Sequence, residues 1–183
     1  MHRRQRMLRQ YHRFRLLLKI NGVVYSFERP HFLNTMESLK EYKIIVADAG
    51  LRPAVLALLK ENDLPVTDLD EKKPLFACID HQKLVGTGGL ELFRDCALLR
   101  SISIRKDLQR KGLGSFIVGE LEKVVTQRGM NCLYLLTTTA QDFFATRGYE
   151  KIDREEAPAE IKDTAQFSSI CPSSAVVMRK FLS

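Results

Sequence analysis

The apolar positions change period once, and the change marks the centre of the chain. From Ala97 to Ile104 apolar and β-branched residues form a strand-like run. After the turn Gln109-Arg110-Lys111-Gly112-Leu113-Gly114, residues Ile117, Leu121, Val124 and Val125 recur at i, i+4, i+7 and i+8, which is one face of a helix. Gly129 stands where a left-handed residue ends such a helix. Upstream, Lys43 to Ala47 reads as a short strand, and Leu51, Val55, Leu58 and Leu59 mark a helix with Pro53 in its first turn. Val66 to Lys73 reads as a short second helix. Leu75 to Ile79 and Leu84 to Phe93 are strands around the turn Asp80 to Lys83, the second carrying Gly86, Gly88 and Gly89 as signs of a bulge or a close backbone approach. Downstream come a buried strand (Cys132 to Thr137), a short helix with Phe143 and Phe144 closed by Gly148, a strand (Tyr149 to Ile152), a helical turn (Pro158 to Lys162), a polar loop (Gln166 to Ser174) and a last strand (Ala175 to Phe181). Three consecutive strands followed by alternation predict an α/β (α+β) fold: a mixed central sheet with helices on both faces.

A helix opened by glycines presents unpaired backbone N–H groups and the positive end of its dipole, a setting that attracts phosphate. Arg110 and Lys111 add charge at its rim. Two familiar phosphate loops do not fit: Gly114 is followed by Ser115-Phe116 rather than the Lys-Ser/Thr of a P-loop, and position 117 is Ile where a dinucleotide fingerprint needs its third glycine.

Composition narrows the class. A chain of 183 residues with 45% hydrophobic content suits one globular domain, and no apolar run approaches the ~20 residues of a membrane span. The net charge of +7 is local: eight of the 29 basic and one of the 22 acidic residues lie in residues 1–35, so residues 36–183 are neutral. The globular part therefore has no overall basic field to steer it to nucleic acid. Residues 1–35 are read as a basic extension, either an arm for nucleic acid or anionic membrane, a transit peptide poor in serine, or a poorly anchored extension of a domain starting near Met36. Gly22 to Phe27 has the pattern of an added strand. Cys78, Cys96, Cys132 and Cys171 form no C-x-x-C pair, and three lie in strand-like runs. They read as reduced thiols of a cytoplasmic protein, not a disulfide framework or a metal site.

The pattern Gln109-x-x-Gly112-x-Gly114 between a strand and an amphipathic helix resembles the acetyl-CoA pyrophosphate loop of the GCN5-related N-acetyltransferase (GNAT) superfamily. The element order from Lys43 to Phe181 and the run Phe143-Phe144-Ala-Thr-Arg-Gly148-Tyr149 are similar to it as well. Within the superfamily, Leu98-Leu99-Arg100-Ser101, Tyr134 to Thr139 with Asp142-Phe143-Phe144, and Phe167 to Ala175 look like the N-acetyltransferases of arsenic-resistance operons. Those are related in fold to enzymes that acetylate phosphinothricin-like amino acids. The resemblance implies acetyl-CoA as co-substrate. Its pantetheine arm is expected along the backbone of Ile102, Ser103 and Ile104, its pyrophosphate on the amides of Gln109, Arg110, Lys111, Gly112, Leu113 and Gly114 with the Ser115 hydroxyl, and Phe143 and Phe144 beside the thiol. Arg100, Thr138, Thr139, Ser169 and Cys171 are the expected acceptor contacts. The partners implied are a small-molecule amine and no nucleic acid or membrane for the domain, which would act as a monomer or homodimer.

The reaction implied is attack of a neutral amine on a thioester carbonyl. It needs orientation, a deprotonated amine and help for the leaving thiolate. The tyrosine that often protonates that sulfur in the superfamily falls at Phe144, which cannot donate. Tyr149 is the candidate acid in its place, with Tyr134 the alternative. Glu91, on the strand beside the cofactor strand, is the candidate base; a solvent-facing charge on an amphipathic strand is its other reading. Deprotonating an α-amine of pKa near 8 costs about 1.4 kcal/mol at pH 7, and a lysine near 10.4 costs about 4.6 kcal/mol. A site with no strong base thus suits an amino-acid-like acceptor better than the lysine of a protein tail; a protein, polyamine or aminoglycoside acetyltransferase, which an acidic cleft would favour, is the alternative among enzymes. A non-catalytic acyl-CoA-binding module is the alternative of a different class.

Overall fold

The computed structural model describes residues 15–20, 23–28 and 42–182. Two compact units separate near residue 39. In the first, β1 (Arg15–Ile20) and β2 (Val23–Glu28) form an antiparallel hairpin, with Arg15 opposite Glu28 and Ile20 opposite Val23. The strand expected at 22–27 is thus β2, shifted by one residue. The remaining expectations for residues 1–35 lie outside the described residues.

The second unit is built on a seven-stranded sheet. Its strands are β3 (Lys43–Val46), β4 (Leu75–Asp80), β5 (Lys83–Leu92), β6 (Cys96–Ile104), β7 (Cys132–Thr137), β8 (Glu150–Ile152) and β9 (Val176–Phe181), in spatial order β3-β4-β5-β6-β7-β9-β8. Only β6 and β7 run parallel, because the helix α2 (Leu113–Gln127) carries the chain back between them. The hairpin joining β4 to β5 turns on His81 and Gln82, both at positive φ.

The glycines of β5 decide how the helices approach. A Cβ at Gly86 would lie 2.7 Å from Ile117 Cδ1, and one at Gly88 2.6 Å from Leu121 Cδ1, so α2 rests directly on the backbone of β5. The neighbouring Gly89 faces the other way, where a Cβ would lie 3.0 Å from Leu75 Cδ2. Leu75 belongs to the buried cluster of Ala47, Val55, Leu59 and Ala77, which seats α1 (Arg52–Glu61) on that second face. On the same face, α4 (Ala159–Lys162) buries Ile161 against Leu98, Cys132, Tyr134 and Val177. The short α3 (Gln141–Ala145) sets Phe143 against Gly114 at the start of α2, and its Phe144 ring is edge-on to Phe143 and Tyr149.

Two expected elements differ. Residues 66–73 form no helix: they are a loop laced by side chains, with Arg52 donating to the carbonyls of Leu69, Asp70 and Lys73 and Lys73 Nζ donating to Asp68. A single helical turn cannot outweigh these tertiary bonds. The loop expected at 166–174 begins as one π-helical turn, Gln166–Ile170, in which the Cys171 amide bonds back to Gln166 at 3.0 Å.

Candidate active site

Strands β6 and β7 pair only from Cys96–Cys132 to Leu99–Leu135, although β6 runs on to Ile104 and β7 to Thr137. The sheet splits at Arg100. Beyond it β6 still pairs with β5, Ser103 opposite Thr87 and Ile104 opposite Gly86. Two residues of β6, Ser101 and Ile102, there oppose the single Gly88 of β5, a bulge with Ser101 at φ +56°. The bulge shifts the alternation by one, so Arg100 stays on the α1 face and Ile102 and Ile104 turn to the α2 face, where their Cδ1 atoms crowd Gly88 and Gly86. The Arg105 amide donates to Val85, on the β5 side. By alternation the polar backbone groups of Ile102 and Ile104 face the opening, an edge that no strand pairs with, shaped for an extended guest.

At the mouth of the split, α2 begins at Gly112 with φ +81° and no side-chain cap. The Phe116 amide bonds to Gly112, leaving the N–H groups before it to be satisfied from outside. A Cβ on Gly112 would meet nothing within 4 Å, so the space in front of the helix is open. Gln109 turns its side chain back to the Ile104 carbonyl at 3.2 Å, and Lys111 holds the Asp107 carbonyl at 2.9 Å, which fixes the loop. Phe143 closes the flank, its Cζ 3.2 Å from where a Gly114 Cβ would stand. These residues fit a pantetheine-linked diphosphate: a free strand edge leading to an uncapped helix N-terminus.

The α1-face floor of the split holds a charge cluster. Arg100, with a side chain only 1% exposed, pairs with both Asp68 (Nη2 to Oδ1 at 2.7 Å) and Glu91. Lys73 Nζ lies 3.1 Å from Asp68 and 3.5 Å from Glu91. Burial alone would raise the Asp68 carboxyl, but Arg100 and Lys73 outweigh it and hold it below 3.8. Burial likewise works against the Arg100 cation and is outweighed by Asp68 and Glu91, which hold its proton more firmly. Asp68 and Lys73 come from the side-chain-laced loop, where no periodicity signalled them. Neither was among the residues expected at the site.

The expected roles fare unevenly against this geometry. Arg100 is not free for an acceptor oxyanion, because its guanidinium is closed by two carboxylates. Glu91 is likewise not a free carboxylate but the partner of two cations. Tyr149 is not placed to act as an acid. It is 3% exposed, its hydroxyl is buried beside Glu122, about two turns down α2 from Gly114, and burial followed by the Glu122 charge pushes its pKa far above 10. Tyr134 lies in the α4-side core, raised to about 12 by burial and by Cys132. Phe144 is buried between Phe143 and Tyr149. Thr138 and Thr139 are exposed at the end of β7, where Thr137 Oγ1 accepts the Ala140 amide at 3.0 Å. Ser169 donates to the Ala165 carbonyl at 3.1 Å, and Cys171 is half-buried, its thiol raised first by burial and lowered less by Arg100 and Arg154. Cys78, Cys96 and Cys132 are buried free thiols, the first two raised to about 12 and about 11 chiefly by burial. Among the described residues no group of three His, Cys, Asp or Glu is placed to hold a metal, and no helix is long and apolar enough to cross a membrane.

Comparison with known proteins agrees with this arrangement. An uncharacterized N-acetyltransferase of Chlorobaculum tepidum is 32% identical over 65 residues, 36% of this chain and 41% of that relative. The fold is similar to N-acetylglutamate synthase of Neisseria gonorrhoeae, solved with coenzyme A and L-arginine (TM-score 0.66, 18% identity, 77% of this chain and 33% of that one). It is also similar to the ribosomal-protein-S18-alanine N-acetyltransferase of Escherichia coli (TM-score 0.61, 18% identity, 78% of this chain and 94% of that one). The chain thus spans less than half the length of the first two. Residues 38–153, the stretch that holds the split sheet and the uncapped helix, match the family model of the GNAT acetyltransferases, and the chain belongs to that family.

Proposed function

We propose that the chain is an acetyl-CoA-dependent N-acetyltransferase whose acceptor is the amine of a small amino-acid-like molecule. Acetyl-CoA supplies an acetyl group activated as a thioester. The open edge at Ile102 and Ile104 orients the pantetheine arm, and the amides from Gln109 to Gly114 with the Ser115 hydroxyl bind the diphosphate. Phe143 excludes water beside the arm. The acceptor enters from the α1 face, between the loop carrying Asp68 and the segment carrying Ser169 and Cys171, with Thr138 and Thr139 at the rim.

The observation that carries the acceptor class is the charge balance of the floor. Asp68 and Glu91 are each matched by a cation, so neither stands as a free strong base and the floor offers no surplus of negative charge to a polycation. An amine that deprotonates at little cost suits this floor: about 1.4 kcal/mol at pH 7 for a pKa near 8, against about 4.6 kcal/mol for lysine. With Phe144 in place of a donor, the thiol leaves as thiolate, which its ordinary pKa of about 8.5 permits. Arsenic-containing and phosphinothricin-like amino acids belong to this acceptor class, which would give the protein a part in arsenic resistance or detoxification.

Thiol release measured over a panel of α-amino acids, their phosphinate and arsenical analogues, polyamines and lysine peptides tests the reading. Turnover of amino-acid-like acceptors, rising with pH towards the pKa of their own amine, is expected. Turnover confined to polyamines or lysine peptides contradicts the acceptor class. Cofactor binding with no turnover of any acceptor favours the non-catalytic module.

A further inference from the structure

Arg147, on the cofactor side, has no carboxylate among its hydrogen-bond partners. It follows the last turn of α3 and reaches across to α2. Its guanidinium lies 3.5 Å from the centre of the Phe143 ring. Nη1 donates to the Phe143 carbonyl and, at 3.1 Å, to Thr146 Oγ1, and Nη2 donates to Ser115 Oγ. All three acceptors are neutral. Nε is buried and unbonded. The nearby Glu122 is held by Lys180, whose Nζ lies 2.9 Å from both its oxygens. Burial works against the Arg147 charge, and Glu122 only partly restores it.

This cation lines a groove of about 360 Å³ formed by α2, the turn after α3 and β9, with Ser115, Glu122 and Lys180 also in its lining. Gly119 forms part of its floor, and a Cβ there would meet nothing within 4 Å. The groove includes Ser115, in the first turn of α2 and next to the N–H groups assigned above to the diphosphate. A nucleotide whose diphosphate caps α2 can set its ribose in this groove, beside Arg147. Ser115 accepts the Arg147 N–H, which leaves its own O–H free to donate. The second Nη2 N–H of Arg147, with the Lys180 ammonium lining the same groove, offers charge-assisted donors to a phosphate monoester.

We infer that Arg147, seated on Phe143 and aligned by Ser115, recognises the ribose 3′-phosphate of acetyl-CoA and makes the protein selective for it over the 3′-dephospho form. The inference rests on the cofactor reading above. The residue lay inside the Phe143–Tyr149 run of the sequence, but nothing in the spacing gave it a role.

The test is calorimetric titration of the full chain with CoA and with 3′-dephospho-CoA, for the wild type, Arg147→Met and Arg147→Gln. The wild type is expected to bind CoA at least about tenfold more tightly than 3′-dephospho-CoA, the range of one or two charge-assisted hydrogen bonds. Arg147→Met is expected to bring CoA down to the affinity of the dephospho form while leaving the latter within about twofold. Equal wild-type affinity for the two ligands overturns the inference and leaves the cofactor reading standing. So does a variant that weakens both ligands equally, since Arg147 would then serve the loop or the diphosphate. Binding of neither ligand by folded wild type overturns both readings. Thermal melting identifies a variant that fails to fold. In that event Arg147→Gln, which retains donors for Ser115, or the wild-type pair alone, decides the matter.

Discussion

Arg100 is the residue on which the floor of the split depends. Its removal leaves Asp68 and Glu91 buried together with only Lys73 to share, and breaking a buried pair from one side costs about 3–5 kcal/mol. Arg100→Met should therefore lower stability by about that amount in urea unfolding at pH 7. The pH dependence follows from Asp68. Its native carboxyl lies below the 3.8 of the unfolded chain, so its stabilising share is complete above that value and is lost as pH falls through the lowered native one. With Arg100 gone, burial dominates and the native carboxyl rises, so the acid-unfolding midpoint of Arg100→Met should move to higher pH; an unchanged midpoint would mean that the pair contributes nothing. The sequence suggested Arg100 as an acceptor contact because an arginine at the split is the obvious cation for an oxyanion. It could not show that Asp68, 32 residues earlier, would fold over it, since ion pairs across that distance leave no periodic trace. Glu91 and Tyr149 misled for the same reason: residue type and strand position were legible, but the direction and partners of the side chain were not.

At the scale of elements, α2 and the loop before it were readable almost to the residue, because glycine, helical period and a terminal Gly129 each leave a local mark. Gly112 is at φ +81° and Gly129 at +79°, as helix-boundary glycines require. Gly112→Ala places a Cβ in a left-handed conformation and should cost about 1–2 kcal/mol, read as a lowered Tm. The open space in front of Gly112 means that the cost is backbone strain rather than a clash. An unchanged Tm would show that the loop adopts another conformation in solution. The bulge at Ser101 was less legible. The glycines of β5 hinted at one, but its place on β6 and the phase shift it imposes depend on strand pairing. The loop at 66–73 and the π-helical turn at Gln166–Ile170 were misjudged because tertiary bonds outweigh weak local preferences there.

At the scale of the whole molecule, the order of strands and helices after Lys43 was enough to predict a mixed sheet covered on both faces, since only β6 and β7 are joined by a helical crossover. That sheet opens on the side where α2 presents its N-terminus, and the opening is what links fold to chemistry. The net charge lies in residues 1–35, so the GNAT unit recognises its ligands through local features rather than a global field. The most direct test of the account is calorimetric titration of acetyl-CoA into the full chain and into a Gly112→Asp, Gly114→Asp double variant, which sets two carboxylates in front of α2. Micromolar binding by the wild type and none by a folded double variant are expected. Equal affinity in the two proteins, or no binding by folded wild type, would contradict that expectation.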